Sequence, residues 1–416
     1  DVPLDEIDLG SLEFWSRPTD YRDGAFATLR HERPIAFFTE PEVPGFPAPG
    51  PGFWALTKLD DVWQASRHPE RFSSRPSIVI ADMPEEISEF FGSMIVLDDP
   101  RHHRLRSIVQ KAFTPRMVAQ VEQAVADRTR GIVEGMVERH PDGECDFVTE
   151  IAAPLPLQII CDMMGIPAED EQRVFHWTNV ILGIGDEEIA TEFGELIQVS
   201  QEVGAYAYTL AEERRSNPGD DLTTALVQAE VDGEQLSSAE IASFFILLIT
   251  AGNETTRNAI SHGLVALTNN PAERDAWWAD FDGVSRTAVE EIVRWASPVI
   301  YMRRTLKDDV QLRDITIRAG EKVAMYYASA NRDEDHFADP YRFDVRRDPN
   351  PQVGFGAGGP HFCLGANLAR REITMAFREL HRLVPDIHAS SEPAILHSDF
   401  IHGIKRVRAS WTPPSG

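Results

Sequence analysis

Near the C-terminal end of the chain, Gly354-Phe355-Gly356-Ala357-Gly358-Gly359-Pro360-His361-Phe362-Cys363-Leu364-Gly365-Ala366 sets a single cysteine behind a run of closely spaced glycines. Glycine at this density lets the backbone take positive φ and approach a flat group closely. The polar, amphipathic run Asn367-Leu368-Ala369-Arg370-Arg371-Glu372 that follows reads as the start of a helix. A thiolate beside a helix N-terminus meets the positive end of the dipole and free N–H donors, so the anionic form of Cys363 is favoured. A free cysteine more often behaves as a small buried hydrophobe. The glycine loop, and His361 two residues earlier, argue against that reading here.

A second group able to do chemistry is Ala251-Gly252-Asn253-Glu254-Thr255-Thr256, inside a strongly apolar helical pattern. Glycine in a buried helix costs about 1 kcal/mol against alanine, and glutamate is seldom buried without a partner. Two local rules broken within three residues mark a functional site. Leu247, Ala251 and Thr255 fall on one face at i, i+4 and i+8. Gly252 can let the helical ladder open to a water, and the Thr255 hydroxyl can bond back to the Ala251 carbonyl. A hydroxyl and a carboxyl on adjacent residues suit a proton relay. Two weaker pairs complete the set. Pro100 opens a helix that puts His102 and Arg106 on one face, as donors for an anionic group or as a solvated basic face. Glu291 and Arg294 stand at i, i+3, a spacing that on a surface is worth little.

These residues need elements to position them. Ser237-Ser238-Ala239-Glu240 offers a capping box and Asn269-Asn270-Pro271 a stop, which predicts one long helix over 237–270. Ile241 to Ala251 is apolar nearly all round, so that helix runs through the middle of the molecule. Residues 115–230 read as amphipathic helices with polar turns, broken at Ile181-Leu182-Gly183-Ile184-Gly185 by a turn or a lid. Short strands are expected at 35–38, 53–57, 310–312, 315–317 and 322–325. Five prolines and three glycines between Pro41 and Gly52 exclude a helix there. Residues 76–97, with Phe91 and Ile95, are apolar without period, either core or one wall of a small-molecule cavity. Val299 lies in an extended apolar stretch, and Phe400 sits in a strand-turn region that could close such a cavity.

The composition narrows the function. A chain of 416 residues with 42% hydrophobic content supports a large core. Its three cysteines argue against a disulfide framework and for a reducing compartment. A formal net charge of −27 argues against nucleic acid or an anionic membrane as partner. No apolar run reaches about 18 residues, so no transmembrane anchor is expected. The first residues lack the basic start and apolar core of a signal peptide, and a cytoplasmic protein is expected.

Taken in order, His-x-x-x-Arg, Ala-Gly-x-Glu-Thr-Thr, Glu-x-x-Arg and the cysteine loop span residues 102 to 365 and resemble the motifs of the cytochrome P-450 family. The resemblance covers essentially the whole chain, as a single domain of 1–416. It implies a mainly α fold with small β-sheets, and haem b between the long central helix and the C-terminal cysteine loop and helix. Cys363 is then the axial thiolate. His102, Arg106 and Arg304, rather than Arg303, reach the haem propionates, while His361, Phe355 and Ala251 lie at the ring. Gly356 stands where the family's common bacterial spelling has an aromatic, so the loop is one residue longer and Phe355 one place further back. Thr255 and Glu254 match the oxygen-activation motif, steadying a water and supplying protons. Glu291, Arg294 and Arg342 match a structural triad that supports the cysteine loop. Phe91, Ile95, Leu247, Val299 and Phe400 are expected to line the substrate pocket.

The implied activity is an O2-dependent monooxygenase in which thiolate donation favours O–O cleavage. The chain has no flavin or iron–sulfur motif of its own, so two electrons are expected from a ferredoxin and a ferredoxin reductase. Arg101, Lys111, Arg346 and Arg347 are the expected docking cations. The finer likeness, in Pro154 to Gly165, Phe175 to Gly183 and Ile241 to Ala259, is to mycobacterial methyl-branched-lipid omega-hydroxylases. That likeness implies hydroxylation of long methyl-branched lipids at the terminal carbon. The alternatives are a cholesterol or cholestenone side-chain hydroxylase, a peroxide-driven enzyme of the same fold and a haem-binding sensor.

Overall fold

Helical periodicity dominates the chain, and helices dominate the structure, with small β-sheets among them. The computed structural model describes residues 2–40, 49–82, 84–112, 115–182, 188, 193–231 and 233–413. Most of the proline-rich stretch after Pro41, and the glycines expected to form a turn or lid at 183–185, lie outside the described residues.

The largest sheet has five strands: β1 (Ile35–Phe38), β2 (Phe53–Leu56), β3 (Phe72–Ser73), β4 (Tyr301–Leu306) and β5 (Lys322–Tyr326). Their order is β1-β2-β5-β4-β3. Strand β5 is buried along its whole length, as befits a central strand covered on both faces. It pairs in parallel with β2 and antiparallel with β4. Val310–Leu312 and Ile315–Ile317 form the expected small hairpin.

The helices that matter for the site are α1 (Leu59–Arg67), α2 (Arg101–Ala112), α3 (Pro154–Met164), α4 (Glu171–Leu182), α5 (Phe193–Ser216), α6 (Ser238–Ala251), α7 (Glu254–Asn269), α8 (Phe281–Ala296) and α9 (Ala366–Leu383). The capping box is present: the Glu240 amide donates to Ser237 Oγ at 3.2 Å, and the Ser237 amide donates to Glu240 Oε2 at 2.8 Å. The helix expected over 237–270 is two helices, α6 and α7, divided at Gly252-Asn253. The break is tightly packed. A Cβ at Gly252 would sit 2.8 Å from Ile160 Cδ1 of α3 and 2.8 Å from the Leu248 carbonyl oxygen, so only glycine fits the break. Behind it, α7 packs on α9 so closely that a Cβ at Gly263 would come 2.7 Å from the Phe377 ring.

Helices α7, α8 and α9 share the largest apolar core, with Ile260, Ile292, Phe377 and Leu380. Helices α4, α5 and α6 share a second, with Trp177, Val203 and Phe245. The break between α6 and α7 therefore falls where two cores meet. Among the described residues no helix is long and apolar enough to cross a membrane.

Candidate active site

The cysteine loop is built by its glycines. Gly356, Gly358 and Gly359 have φ of 97°, 84° and 81°, and a side chain at Gly359 would strike the Ser66 carbonyl. Ser66 Oγ donates to the Gly358 carbonyl at 2.7 Å and Arg67 Nε to the Ala357 carbonyl at 3.1 Å. The loop thus leans on the end of α1. The Cys363 amide donates to the Phe355 carbonyl at 2.9 Å, and α9 begins three residues after the cysteine. The Phe355 ring lies under the Arg370 guanidinium, 4.4 Å away.

Cys363 is accessible, yet protein surrounds it on most sides, as at the floor of a deep recess. Burial raises its thiol pKa, opposed by the Gly365 N–H and by Arg106 and Arg370. The expected preference for the anion from the helix terminus alone is therefore corrected, because desolvation outweighs it. Coordination to a metal ion would deprotonate the thiol outright.

Four donors converge on this recess. The His102 and His361 rings lie 4.1 Å apart. His102 Nδ1 is 3.3 Å from Asp99 Oδ1, and His361 Nε2 is 3.0 Å from Ser74 Oγ. The other nitrogen of each ring, His102 Nε2 and His361 Nδ1, is buried with no hydrogen-bond partner. Burial lowers both imidazoles, His361 to about 2. A carboxylate placed at His102 Nε2 would oppose that and favour the protonated ring, which donates from both nitrogens, to Asp99 and to that carboxylate. Arg304 is buried, its pKa lowered by desolvation, and it donates to the Arg303 carbonyl. Arg303 is instead paired with Asp82 at 2.7 Å, which supports Arg304 as the donor that faces the site. Arg106 donates to the Phe362 carbonyl at 2.8 Å, joining α2 to the cysteine loop. Two buried orphan ring nitrogens and a buried guanidinium beside a thiol fit a flat group that carries carboxylates. These residues therefore suit a haem, with Cys363 toward its metal and His102, His361, Arg106 and Arg304 toward its propionates.

At the helix break, Thr255 Oγ1 donates to the Ala251 carbonyl at 2.8 Å, as its spacing implied. Ala251 is exposed and Gly252 half-buried. Glu254 is buried and ion-paired with Arg257 at 2.9 Å, and Asn258 donates to it at 3.1 Å. Arg257 reaches on to Asn179 of α4 at 3.4 Å.

The triad needs a correction. Glu291 and Arg294 make two 2.7 Å bonds, both side chains fully buried. The third member is Arg347, whose Nε lies 3.2 and 3.1 Å from the two Glu291 oxygens. The Arg342 side chain is 61% exposed and reaches Glu273 and Asp344 at 3.7 and 3.9 Å. Burial of Phe343 turns its neighbour Arg342 outward, so Arg342 contributes its carbonyl rather than its guanidinium, accepting from Arg294 and Arg347. Arg347 is accordingly removed from the docking cations. Arg346 is exposed, while Arg101 pairs with Glu89 and Lys111 donates to the Glu230 carbonyl.

Phe91 and Ile95 pack, partly buried, against the core to which Leu247 of α6 belongs. Val299 and Phe400 lie on the sheet side, brought together by a bridge from Val299 to Ile401 and by the Ile300 amide donating to the Phe400 carbonyl at 2.8 Å. Sequence reasoning missed Ser74, the bonding of Arg347 to Glu291, the placing of Arg370 over Phe355 and the burial of Glu372. Arg370 had a signal, since it lies two helical turns beyond Cys363. Ser74 had none, as it meets His361 across 287 positions.

The profile of the Cytochrome P450 family matches residues 55–279 and 284–383. A "Methyl-branched lipid omega-hydroxylase" of Mycobacterium tuberculosis (strain ATCC 25618 / H37Rv) is 64% identical over 412 residues, covering 99% of this chain and 96% of its relative. A "Steroid C26-monooxygenase" of Rhodococcus jostii (strain RHA1) is 40% identical over 397 residues, covering 94% and 82%. A Mycobacterium marinum cytochrome P450 solved in complex with pseudoionone superposes with a TM-score of 0.92 at 43% identity, covering 99% of this chain and 100% of that one. A profile match from strand β2 to the last residue of α9, with relatives of this identity along nearly the full length, places the chain: it belongs to the cytochrome P450 family of haem-thiolate monooxygenases.

Proposed function

We propose that this enzyme hydroxylates long methyl-branched lipids at the terminal carbon, with haem b in the recess above Cys363. The observation that carries the reading is the 64% identity, over 99% of the chain, to a methyl-branched lipid omega-hydroxylase. Overall, a terminal methyl group, O2, two electrons and two protons give the primary alcohol and water. The bound haem supplies the iron at which O2 is activated, with a thiolate ligand that favours O–O cleavage.

The chain's own residues do the rest. Cys363 provides the thiolate, its sulfur steadied by the Gly365 N–H. His102, His361, Arg106 and Arg304 anchor the carboxylates and fix the ring's orientation. Thr255 has committed its proton to the Ala251 carbonyl, which leaves its lone pairs to accept from a water at the helix break. Glu254 is one residue away, but Arg257 and Asn258 hold its carboxylate. To pass a proton to that water, Glu254 releases Arg257, takes up a proton from solvent and gives that proton to the water, reverting to the carboxylate. Oxidation at the chain end, where the C–H bonds are strongest, requires walls that keep internal carbons away. Phe91, Ile95, Leu247, Val299 and Phe400 are assigned to those walls.

The electrons are assigned to a ferredoxin and its reductase. The docking surface is assigned to Arg346, Arg101 and Lys111. Lys111→Glu with Arg346→Glu is expected to slow reduction of the enzyme, and an unchanged rate removes that assignment. A second reading, side-chain terminal hydroxylation of a steroid, is favoured by the 40% identity to steroid C26-monooxygenases. Product analysis after incubation with a methyl-branched fatty acid or with cholestenone separates the two. The first reading requires an omega-alcohol from the branched acid at the higher kcat/KM.

A further inference from the structure

Residues 76–82 carry no helix or strand, yet the sheet beside them grips them with buried polar side chains. Tyr301 and Arg303 alternate on one face of β4, and Lys322 opens β5. They are 1%, 2% and 3% exposed. The Ile80 amide donates to Tyr301 Oη at 3.0 Å. The Ile80 carbonyl accepts from Arg303 Nη1 at 3.1 Å and from Lys322 Nζ at 3.2 Å. Asp82 bonds the same two cations at 2.7 and 2.6 Å, and Glu40 bonds Lys322 at 2.5 Å. Apolar residues of similar volume hold a fold as well as buried ion clusters do, so such a network is better suited to fixing one arrangement.

Tyr301 differs from the two cations in reaching the opposite wall as well. Its hydroxyl donates to Asp399 Oδ2 at 3.3 Å, and its ring meets the Phe400 ring edge-on, 5.5 Å between centroids. One side chain therefore spaces Ile80, at the root of the stretch that carries Phe91 and Ile95, from Phe400. At its far end that stretch is tied to α6, where Ser243 Oγ donates to the Glu89 carbonyl at 2.9 Å.

We propose that Tyr301 is a positioning residue that sets the gap between the 80–96 wall and Phe400, and thereby selects which carbon of a bound lipid is oxidised. The proposal rests on the lipid-hydroxylase reading above. Its hydroxyl acts through the Ile80 backbone and Asp399 and touches neither cofactor nor reacting atoms. Removing it in Tyr301→Phe leaves the ring in place and frees one wall to drift.

The test uses the haem-loaded, full-length enzyme and whichever of the branched acid or cholestenone the wild type oxidises. A wild type that makes no terminal alcohol from either refutes the lipid reading itself, before any variant is compared. In Tyr301→Phe the ratio of penultimate to terminal alcohol is expected to rise about fivefold, the equivalent of one buried hydrogen bond, with the reduced carbon monoxide spectrum unchanged. Amide hydrogen exchange at Ile80 is expected to quicken in the same variant. Asp399→Leu withdraws the acceptor from the other side, should shift the ratio the same way, and decides the matter if Tyr301→Phe fails to accumulate. A product ratio that stays at the wild-type value in the variants that fold overturns the proposal, whatever their thermal stability.

Discussion

Arg347 and Arg294 both bond the two oxygens of Glu291, so one fully buried carboxylate accepts from two guanidinium groups at once. Arg347 also donates to the carbonyls of Ala338, Asp339 and Arg342. The irregular segment before the cysteine loop is thereby drawn onto α8.

Arg347→Ala takes one of two guanidinium partners from a buried carboxylate and leaves the Ala338 and Asp339 carbonyls without that donor, so it is expected to cost about 3 kcal/mol. Arg342→Ala removes an exposed side chain with long ion-pair distances and should fall within about 0.5 kcal/mol of wild type. Urea unfolding of the two variants measures the contrast. Equal losses would return Arg342 to the triad.

The residues that sequence reasoning located are those whose chemistry is set by near neighbours in the chain. Cys363 and its glycines, Thr255 with Ala251, and Glu291 with Arg294 each act within a few residues of one another, and each pair is found as expected. Arg342 was assigned by position in a motif, but which guanidinium turns inward depends on Phe343 and Val345 seeking the core. An opening of the central helix at Gly252 was legible, but its full division into two helices was not, since the close approach of Ile160 from another helix leaves no local pattern. Ser74 and Tyr301 gain their roles by contacts across 287 and 221 positions, which no local pattern announces. Glu372 stands in an amphipathic helix where an acid reads as surface, whereas α9 buries it against α7.

Alanine is the better helix former, so Gly252→Ala would stabilise an ordinary helix by about 1 kcal/mol. Here the added methyl would lie 2.8 Å from both Ile160 Cδ1 and the Leu248 carbonyl. Overpacking of this kind costs about 1–3 kcal/mol, and a net loss of stability is expected. Ile160→Val in the same chain should recover part of it. A Gly252→Ala variant more stable than wild type would show that the break yields freely and does not hold its own geometry.

Two ring nitrogens and one guanidinium without carboxylate partners are what a doubly charged cofactor would satisfy. Replacing Arg304 by Leu removes a charge-assisted bond worth about 1.5–3 kcal/mol, so haem is expected to bind about tenfold to a hundredfold more weakly. Arg303→Leu should leave haem affinity far less affected, because that side chain is given to Asp82 and the 79–80 carbonyls. Haem transfer to an apo-globin acceptor gives the rate for each variant. Faster loss from Arg303→Leu than from Arg304→Leu would reverse the assignment.

Glu372 is fully enclosed and hydrogen-bonded to the Thr256 side chain, and among the described residues its Oε1 has no hydrogen-bond partner. Burial pushes its carboxyl up from 4.5 to about 8. A carboxyl raised in the folded state binds its proton more tightly there than in the unfolded chain. Its contribution to stability is then fully present below pH 4.5, falls as pH rises, and is lost once pH passes 8. The difference amounts to as much as about 5 kcal/mol between those limits. Glu372→Gln keeps the shape and cannot ionise, so it should match wild type at pH 5 and be several kcal/mol more stable at pH 9. The check is urea unfolding of both proteins at the two pH values, with Thr256→Val as a control for the hydroxyl. A stability gap that does not widen with pH would mean that the acid is already ionised in the fold, bonded to a group that the burial argument does not count.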